Sequence, residues 1–165
     1  MEKHALNKIK GAYENEPFLP SVRLLNTWKD ESNLYFVTEL LNQRNEIWEH
    51  CRSFGLISEA LTKYTFVKVC QSLLKLHELS IIHRDIKPEN MFWSEDKKRI
   101  ILIDLGSAED LTRRELRKMV IDKDPRRMTH VNFVGTAQYM APECVRNKSE
   151  PTKSNDIWSL GCLLY

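Results

Sequence analysis

His83-Arg84-Asp85-Ile86-Lys87-Pro88-Glu89-Asn90 is the stretch on which the reading of this 165-residue chain turns. It sets a base, two cations and a metal ligand on one short loop. Asp85 can accept a proton from a hydroxyl, and Lys87 can hold a transferring phosphoryl group. Asn90 offers an amide oxygen to Mg²⁺, a hard cation that prefers oxygen ligands. Just downstream, Met91-Phe92-Trp93 and Ile100-Ile101-Leu102-Ile103 flank the polar segment Ser94 to Arg99, which predicts a hairpin. Asn90 enters one strand and Asp104 leaves the other, so antiparallel pairing brings both oxygen ligands to one end of the ribbon. A phosphate-bound Mg²⁺ needs that arrangement, a few protein oxygens completed by phosphates and water.

Upstream, the strongest helical pattern runs from Ser58 to Glu78. Ser58 suits an N-cap, and Phe66, Val69, Cys70, Leu73 and Leu74 form a stripe to bury. Ala5, Leu6 and Ile9 predict a short helix over 2–10, and Pro17 and Pro20 break any continuation. Val22-Arg23-Leu24-Leu25 and Leu34-Tyr35-Phe36-Val37 read as strands joined by the turn Lys29 to Asn33. Residues 42–46 read as a polar connector. Residues 105–142 read as irregular, with a basic cluster at Arg113, Arg114, Arg117, Lys118, Lys123, Arg126 and Arg127. A last apolar helix begins near Asp156 and runs to Tyr165.

Composition bounds the rest. The length and 42% apolar content suit one domain with a core, and a net charge of +2 points to neither nucleic acid nor an anionic membrane. The four cysteines, Cys51, Cys70, Cys144 and Cys162, form no C-x-x-C pair. Cys70 and Cys162 sit in apolar helical patterns, so reduced core thiols in a cytoplasmic protein are expected. No signal segment and no membrane span are expected.

The loop 83–90 resembles the catalytic loop of eukaryotic protein kinases. Asp104-Leu105-Gly106 is similar to the family's Asp-Phe-Gly, with leucine supplying the apolar packing. Gly135-Thr136-Ala137-Gln138-Tyr139-Met140-Ala141-Pro142-Glu143 resembles the segment that closes a kinase activation loop. Asp156-Ile157-Trp158-Ser159-Leu160-Gly161 resembles the helix whose aspartate anchors the catalytic loop. The resemblance implies Asp85 as base, Lys87 beside it, Asn90 as a catalytic-loop metal ligand and Asp104 as the metal aspartate. Lys87 and Thr136 match the serine/threonine type, whereas small-molecule kinases of the aminoglycoside type lack the closing segment. Asn132 to Tyr139 resembles the phosphoinositide-dependent protein kinase branch of the AGC group. That branch carries a phosphorylated serine where Asn132 stands, and Thr129 is the nearest preceding hydroxyl.

The resemblance further implies an α+β, protein-kinase-like bilobal fold, truncated to the end of the N-lobe plus the first half of the mainly helical C-lobe. Residues 1–38 would be the N-lobe remnant, 39–45 the hinge, and 46–165 an incomplete C-lobe with activation segment 104–143. Glu2 falls where a helix glutamate pairs the ATP lysine, and Leu6, Leu24, His83 and Leu105 fall on the internal apolar column. For ATP the expected contacts are Thr38 as gatekeeper, Glu39 to Leu41 at the hinge, Glu46 at the ribose, Phe92 under adenine, and Glu89, Asn90 and Asp104 around the phosphates and Mg²⁺. No glycine-rich phosphate loop and no Val-Ala-x-Lys lysine occur in these residues, so the chain as written is expected to have little activity. The function implied is transfer of the ATP γ-phosphate to serine or threonine hydroxyls of protein substrates in intracellular signalling. The alternative is an inactive pseudokinase or scaffold. The basic cluster reads as a solvated insert, the sharper reading being a docking surface for acidic substrates or phospholipid headgroups.

Overall fold

A computed structural model describes residues 2–16, 18–55, 58–121, 135–146 and 150–165. Pro17, Lys123, Arg126, Arg127, Thr129 and Asn132 to Val134 lie outside these residues, as does the side chain of Lys118. The first apolar pattern becomes helix α1 (Glu2–Ala12), which buries Ala5, Leu6 and Ile9 on one face. Strands β1 (Leu24–Lys29) and β2 (Leu34–Thr38) pair antiparallel as expected. Their turn is held by Asp30 Oδ1, which accepts from the N–H of Ser32 and of Asn33. The first strand is shifted from the expected run. Val22 N–H is drawn to Leu102 O at 3.2 Å, so pairing with β2 starts only at Leu24 and continues through Lys29.

The connector at 42–46 contains a 3₁₀ turn, Gln43–Asn45, and leads into α2 (Ile47–Phe54), an element the sequence reading missed. Helix α3 (Glu59–Glu78) starts where expected, with the Ser58 hydroxyl accepting from Leu61 N–H. Val69 and Leu73 are buried and Phe66 and Cys70 pack against the core, but Leu74 is 59% exposed. The buried face turns instead through Ser72, Leu76 and His77. Leu74 lies a further 100° round the helix from Leu73, past the edge of that face. Cys162 also differs from expectation, being half-buried, although all four thiols are free.

Beyond α3 come β3 (Ile81–Ile82) and the predicted hairpin, β4 (Met91–Trp93) against β5 (Ile100–Leu102). Ser72 Oγ donates to Ile100 O at 2.6 Å, tying α3 to that ribbon. The segment expected to be irregular is largely ordered among its described residues. Strand β6 (Glu109–Asp110) pairs with β3, and α4 (Leu111–Ile121) follows directly. Asp110 Oδ1 accepts from the N–H of Thr112 and Arg113 and caps a run of good helix formers. Arg114 is no solvated charge: its guanidinium donates to Pro151 O at 2.6 Å and lies 3.6 Å from Glu109 and from Glu150. The chain ends in α5 (Pro142–Val145) and α6 (Lys153–Leu164), the latter opening three residues before the expected Asp156 because Thr152 and Asn155 form a capping box.

One core joins these elements. Ile9 of α1, Leu24 of β1, Val69 and Leu73 of α3, Ile100 and Leu102 of β5 and Leu160 of α6 all belong to it. The N-terminal part is also riveted to α3 through Lys75. Its ammonium donates to Glu16 Oε2 and Phe18 O, and lies 4.4 Å and 4.8 Å from the Tyr13 and Phe18 ring centres. Among the described residues, no helix is long and apolar enough to cross a membrane.

Candidate active site

The loop 83–90 is held from beneath by one buried carboxylate. Asp156, near the start of α6, is fully buried. Its Oδ2 accepts from His83 N–H at 2.9 Å, and its Oδ1 from Arg84 N–H at 2.8 Å. His77 Nε2 of α3 lies 2.8 Å from the same Oδ2. These bonds hold Arg84 at φ 71°, a left-handed conformation that a side-chain-bearing residue keeps only when its surroundings impose it. His83 is buried too, with Nε2 3.0 Å from Ile103 O and Nδ1 accepting from Asp85 N–H at 3.4 Å. Burial lowers its pKa below the ordinary imidazole value, which fits a neutral ring donating from Nε2 and accepting at Nδ1.

Asp85 therefore starts from a fixed backbone. Its Oδ1 accepts from Thr136 N–H at 2.8 Å and from the Thr136 hydroxyl at 2.7 Å. Its Oδ2 lies 2.9 Å from Lys87 Nζ and accepts from Asn90 Nδ2 at 3.0 Å. Burial alone would raise this carboxyl, but the bonds from Lys87 and Thr136 and the Lys87 charge outweigh it and hold the pKa below the usual aspartate value. The same Asp85 hydrogen bond raises Lys87, which also donates to Thr136 Oγ1 at 2.8 Å. The loop thus presents an ionised carboxylate beside a lysine cation.

Asn90 is oriented by its amide nitrogen, which donates to Asp85 O at 2.9 Å as well as to Asp85 Oδ2. That fixes the amide flip, with Nδ2 committed to Asp85. Across the ribbon, Ile103 N–H donates to Asn90 O at 3.0 Å, and Asp104 follows immediately. The hairpin register thus places Asn90 and Asp104 at the same end of the ribbon. Asp104 is exposed, at φ 58°, with Oδ1 accepting from Gly106 N–H, while Leu105 is buried in the core. Glu2 lies near it: burial, and next the Asp104 charge, raise the Glu2 carboxyl. Hard oxygen donors in a field already too negative suit a divalent cation such as Mg²⁺.

The comparisons with known proteins agree with this geometry. The protein kinase domain family matches residues 15–165. The chain belongs to the protein kinase family. Its relatives include 3-phosphoinositide-dependent protein kinase 1 of Rattus norvegicus, 35% identical over 151 residues, covering 92% of this chain and 24% of that protein. Serine/threonine-protein kinase PKH2 of Candida albicans is 32% identical over 165 residues, 100% of this chain and 16% of its own length. Serine/threonine-protein kinase PDK1 of Cryptococcus neoformans is 37% identical over 144 residues, 87% of this chain and 11% of its own. The chain thus spans a quarter or less of these three kinases. The resemblance to the phosphoinositide-dependent branch is borne out in these names, and the mixed helix and strand content fits a partial kinase domain.

The other residues expected at the nucleotide lie at the end of β2, in the connector after it, in the 3₁₀ turn Pro88–Asn90 and on β4. Thr38 ends β2 half-buried, and Glu39 is committed to Arg23, just before β1, its N–H donating to Arg23 O and its carboxylate accepting from Arg23 N–H at 2.8 Å. Leu41 is half-buried while its neighbour Leu40 is 98% exposed. Glu46 and Phe92 are brought together by a backbone bridge. Glu89 sits in the 3₁₀ turn Pro88–Asn90, with Oε2 buried and unpaired among the described residues. Leu6, Leu24 and Leu105 share the core and His83 is buried, as the kinase apolar column requires. Sequence reasoning missed several partners. His77 on the buried face of α3 was a signal, since a buried histidine asks for a polar neighbour. Glu109, which accepts from Arg84 Nη1 at 3.0 Å, and Asn155, whose amide donates to Glu143 Oε1 at 3.1 Å, gave no local signal.

Proposed function

We propose that this chain carries the catalytic loop and metal side of a serine/threonine protein kinase, which transfers the ATP γ-phosphate to serine or threonine hydroxyls of protein substrates in the cytoplasm. The observation that carries the reading is the Asp85 carboxylate, ionised and gripped by Lys87, Thr136 and Asn90 on a loop pinned to Asp156. Asp85 orients the acceptor hydroxyl and takes its proton. Lys87 balances the charge that gathers on the transferring phosphoryl oxygens. Asn90 and Asp104 hold Mg²⁺, which when bound neutralises phosphate charge and fixes the phosphate chain. Thr38, Glu39, Leu41, Glu46, Glu89 and Phe92 line the nucleotide side. Residues 1–38 then serve as the end of the N-lobe, 39–45 as hinge and 46–165 as C-lobe with activation segment 104–143. Four free thiols suit a reducing compartment. A scaffold has no use for Asp85, Lys87, Asn90 and Asp104 in this order, so the catalytic reading is preferred.

Mg²⁺-dependent ATP binding and phosphorylation of serine, threonine and tyrosine peptides are the test. They are measured on this chain and on a form carrying in addition a glycine-rich loop and a lysine strand. Mg²⁺-dependent transfer to serine or threonine by the longer form, abolished by Asp85→Asn and by Asp104→Asn, is expected. Nucleotide binding with no transfer by the longer form would overturn the reading in favour of a scaffold.

A further inference from the structure

Glu109 and Asp110 make up β6, a few residues past Asp104, and reach in different directions. Glu109 Oε2 accepts from Arg84 Nη1 at 3.0 Å and lies 3.6 Å from Arg114 Nη1. Asp110 Oδ2 accepts from Lys8 Nζ and lies as close to His4 Nε2, each at 2.8 Å, both residues being on α1. Its Oδ1 caps α4. The backbone between is fixed as well, Ile82 pairing with Glu109 and Ile81 with Asp110, and Leu111 N–H donating to Ser80 O at 2.8 Å. One dipeptide thus ties together the catalytic loop, α1, β3 and α4.

The Arg84–Glu109 pair is sheltered, with side-chain exposures of 13% and 16%. Asp110 is buried at 6%, while its partners Lys8 and His4 are 29% and 41% exposed. Screening by water and salt is weaker there than at a surface pair, and losing one partner leaves a buried charge. In kinases generally, the segment after the metal aspartate is ordered when a phosphate supplies negative charge to arginines, which sets the neighbouring helix and the metal site. Here carboxylates encoded in the chain already face the arginine next to the base and, on α1, Lys8 and His4; the first turn of that helix brings Glu2 near Asp104.

We propose that Glu109 and Asp110 are positioning residues for phosphoryl transfer, fixed charges that lock residues 104–111 between the catalytic loop and α1 without a covalent phosphate. The proposal rests on the kinase reading of Asp85 and Asp104. The longer form that tests the kinase reading, before and after phosphatase treatment, is compared with its variants Glu109→Gln, Asp110→Asn and the charge-keeping Glu109→Asp. The readouts are kcat and KM for ATP with a serine peptide, and amide hydrogen exchange. Phosphatase treatment is expected to leave kcat unchanged. Glu109→Gln and Asp110→Asn lower kcat about tenfold or more, since small misplacements of catalytic groups have effects of that order, while KM for ATP stays within about threefold. Glu109→Asp restores most of the loss, and exchange quickens over 104–111 and α1 alone. Loss of kcat on phosphatase treatment overturns the proposal, as does an equal, chain-wide rise in exchange in Glu109→Gln and Glu109→Asp. Should the protein transfer no phosphate at all, the kinase reading fails separately. Exchange then decides the clamp, with unchanged protection in Glu109→Gln and Asp110→Asn refuting it.

Discussion

Asp156→Ala removes one carboxylate and strands three groups, the N–H of His83, the N–H of Arg84 and His77 Nε2, which it holds at 2.8 to 2.9 Å. Each buried donor left unmet costs about 1–3 kcal/mol, and bonds to a charged acceptor sit at the upper end. The three do not add, because the vacated space admits water and His77 is not wholly enclosed. A loss of about 3–5 kcal/mol is therefore expected, from unmet donors rather than from a stranded charge. Asp156→Asn keeps one acceptor oxygen but must turn its NH₂ toward Arg84 N–H or toward His83 N–H. It forfeits one side of the grip, for about 1.5–3 kcal/mol. Both changes release Arg84 from φ 71° and so move Asp85, its neighbour in the chain. Urea unfolding gives the stability, with m as a check on two-state behaviour. Amide exchange at His83 and Arg84 reads the bonds themselves. Ile157→Ala, on the exposed face of the same helix, is the control and should stay within about 0.5 kcal/mol. Asp156→Ala within 1 kcal/mol of wild type at unchanged m, or unchanged protection of those two amides, would refute the anchoring argument.

Lys87→Met and Thr136→Val should each raise the Asp85 pKa, because each removes one of the bonds that together outweigh burial; carboxyl titration followed by ¹³C NMR checks it. Asp110 is held at about 2, burial being outweighed by Lys8, His4 and the Arg113 N–H. A depressed folded-state pKa gives stability that is fully present above the unfolded value of about 4 and lost as pH falls toward 2, so Asp110→Asn should flatten the acid-unfolding curve in that window. Gly135→Ala should abolish transfer and destabilise the chain by several kcal/mol, about 1–2 of them from the backbone alone. The added Cβ meets Arg84 O at 2.4 Å with φ at 111°, and parallel activity and melting measurements test it.

The parts legible in the sequence were those where chemistry or burial repeats locally. The ribbon 91–102 announced itself through two apolar runs, and both of its strands are buried throughout. Helix α3 was readable because Ser58 caps it and Val69, Leu73 and Leu76 share its buried side. Helix α4 was not, because burial does not organise it: Leu116 is 58% and Met119 71% exposed. It stands on intrinsic propensity and on the Asp110 cap, signals too weak to outrank a charged, pattern-free stretch. Helix α2, at eight residues, is shorter than the window that periodicity needs. The anchoring carboxylate is a different case. An acid near a helix start is ordinary, and its partners His83 and Arg84 lie 73 and 72 residues away, so only tertiary folding shows what it holds.

The same separation explains where the backbone is strained. Outside glycine, φ is positive at Ser80, Lys97, Arg84 and Asp104 among the described residues. Ser80 and Lys97 lie in turns, where short loops impose such geometry. Arg84 and Asp104 do not owe theirs to a tight turn between strands. Arg84 precedes Asp85, and Asp104 is itself the other carboxylate on which the proposed chemistry depends. Each is held by a backbone N–H donating to one carboxylate: Arg84 N–H to Asp156, and Gly106 N–H to the Asp104 side chain. A left-handed residue of this kind costs about 1–3 kcal/mol and persists only where other contacts over-determine it. Relaxing either one would relieve that local cost but displace the site. The contacts around Asp156 and Gly106 therefore select the site geometry against the local preference of the chain, and substitutions there should impair transfer as well as stability.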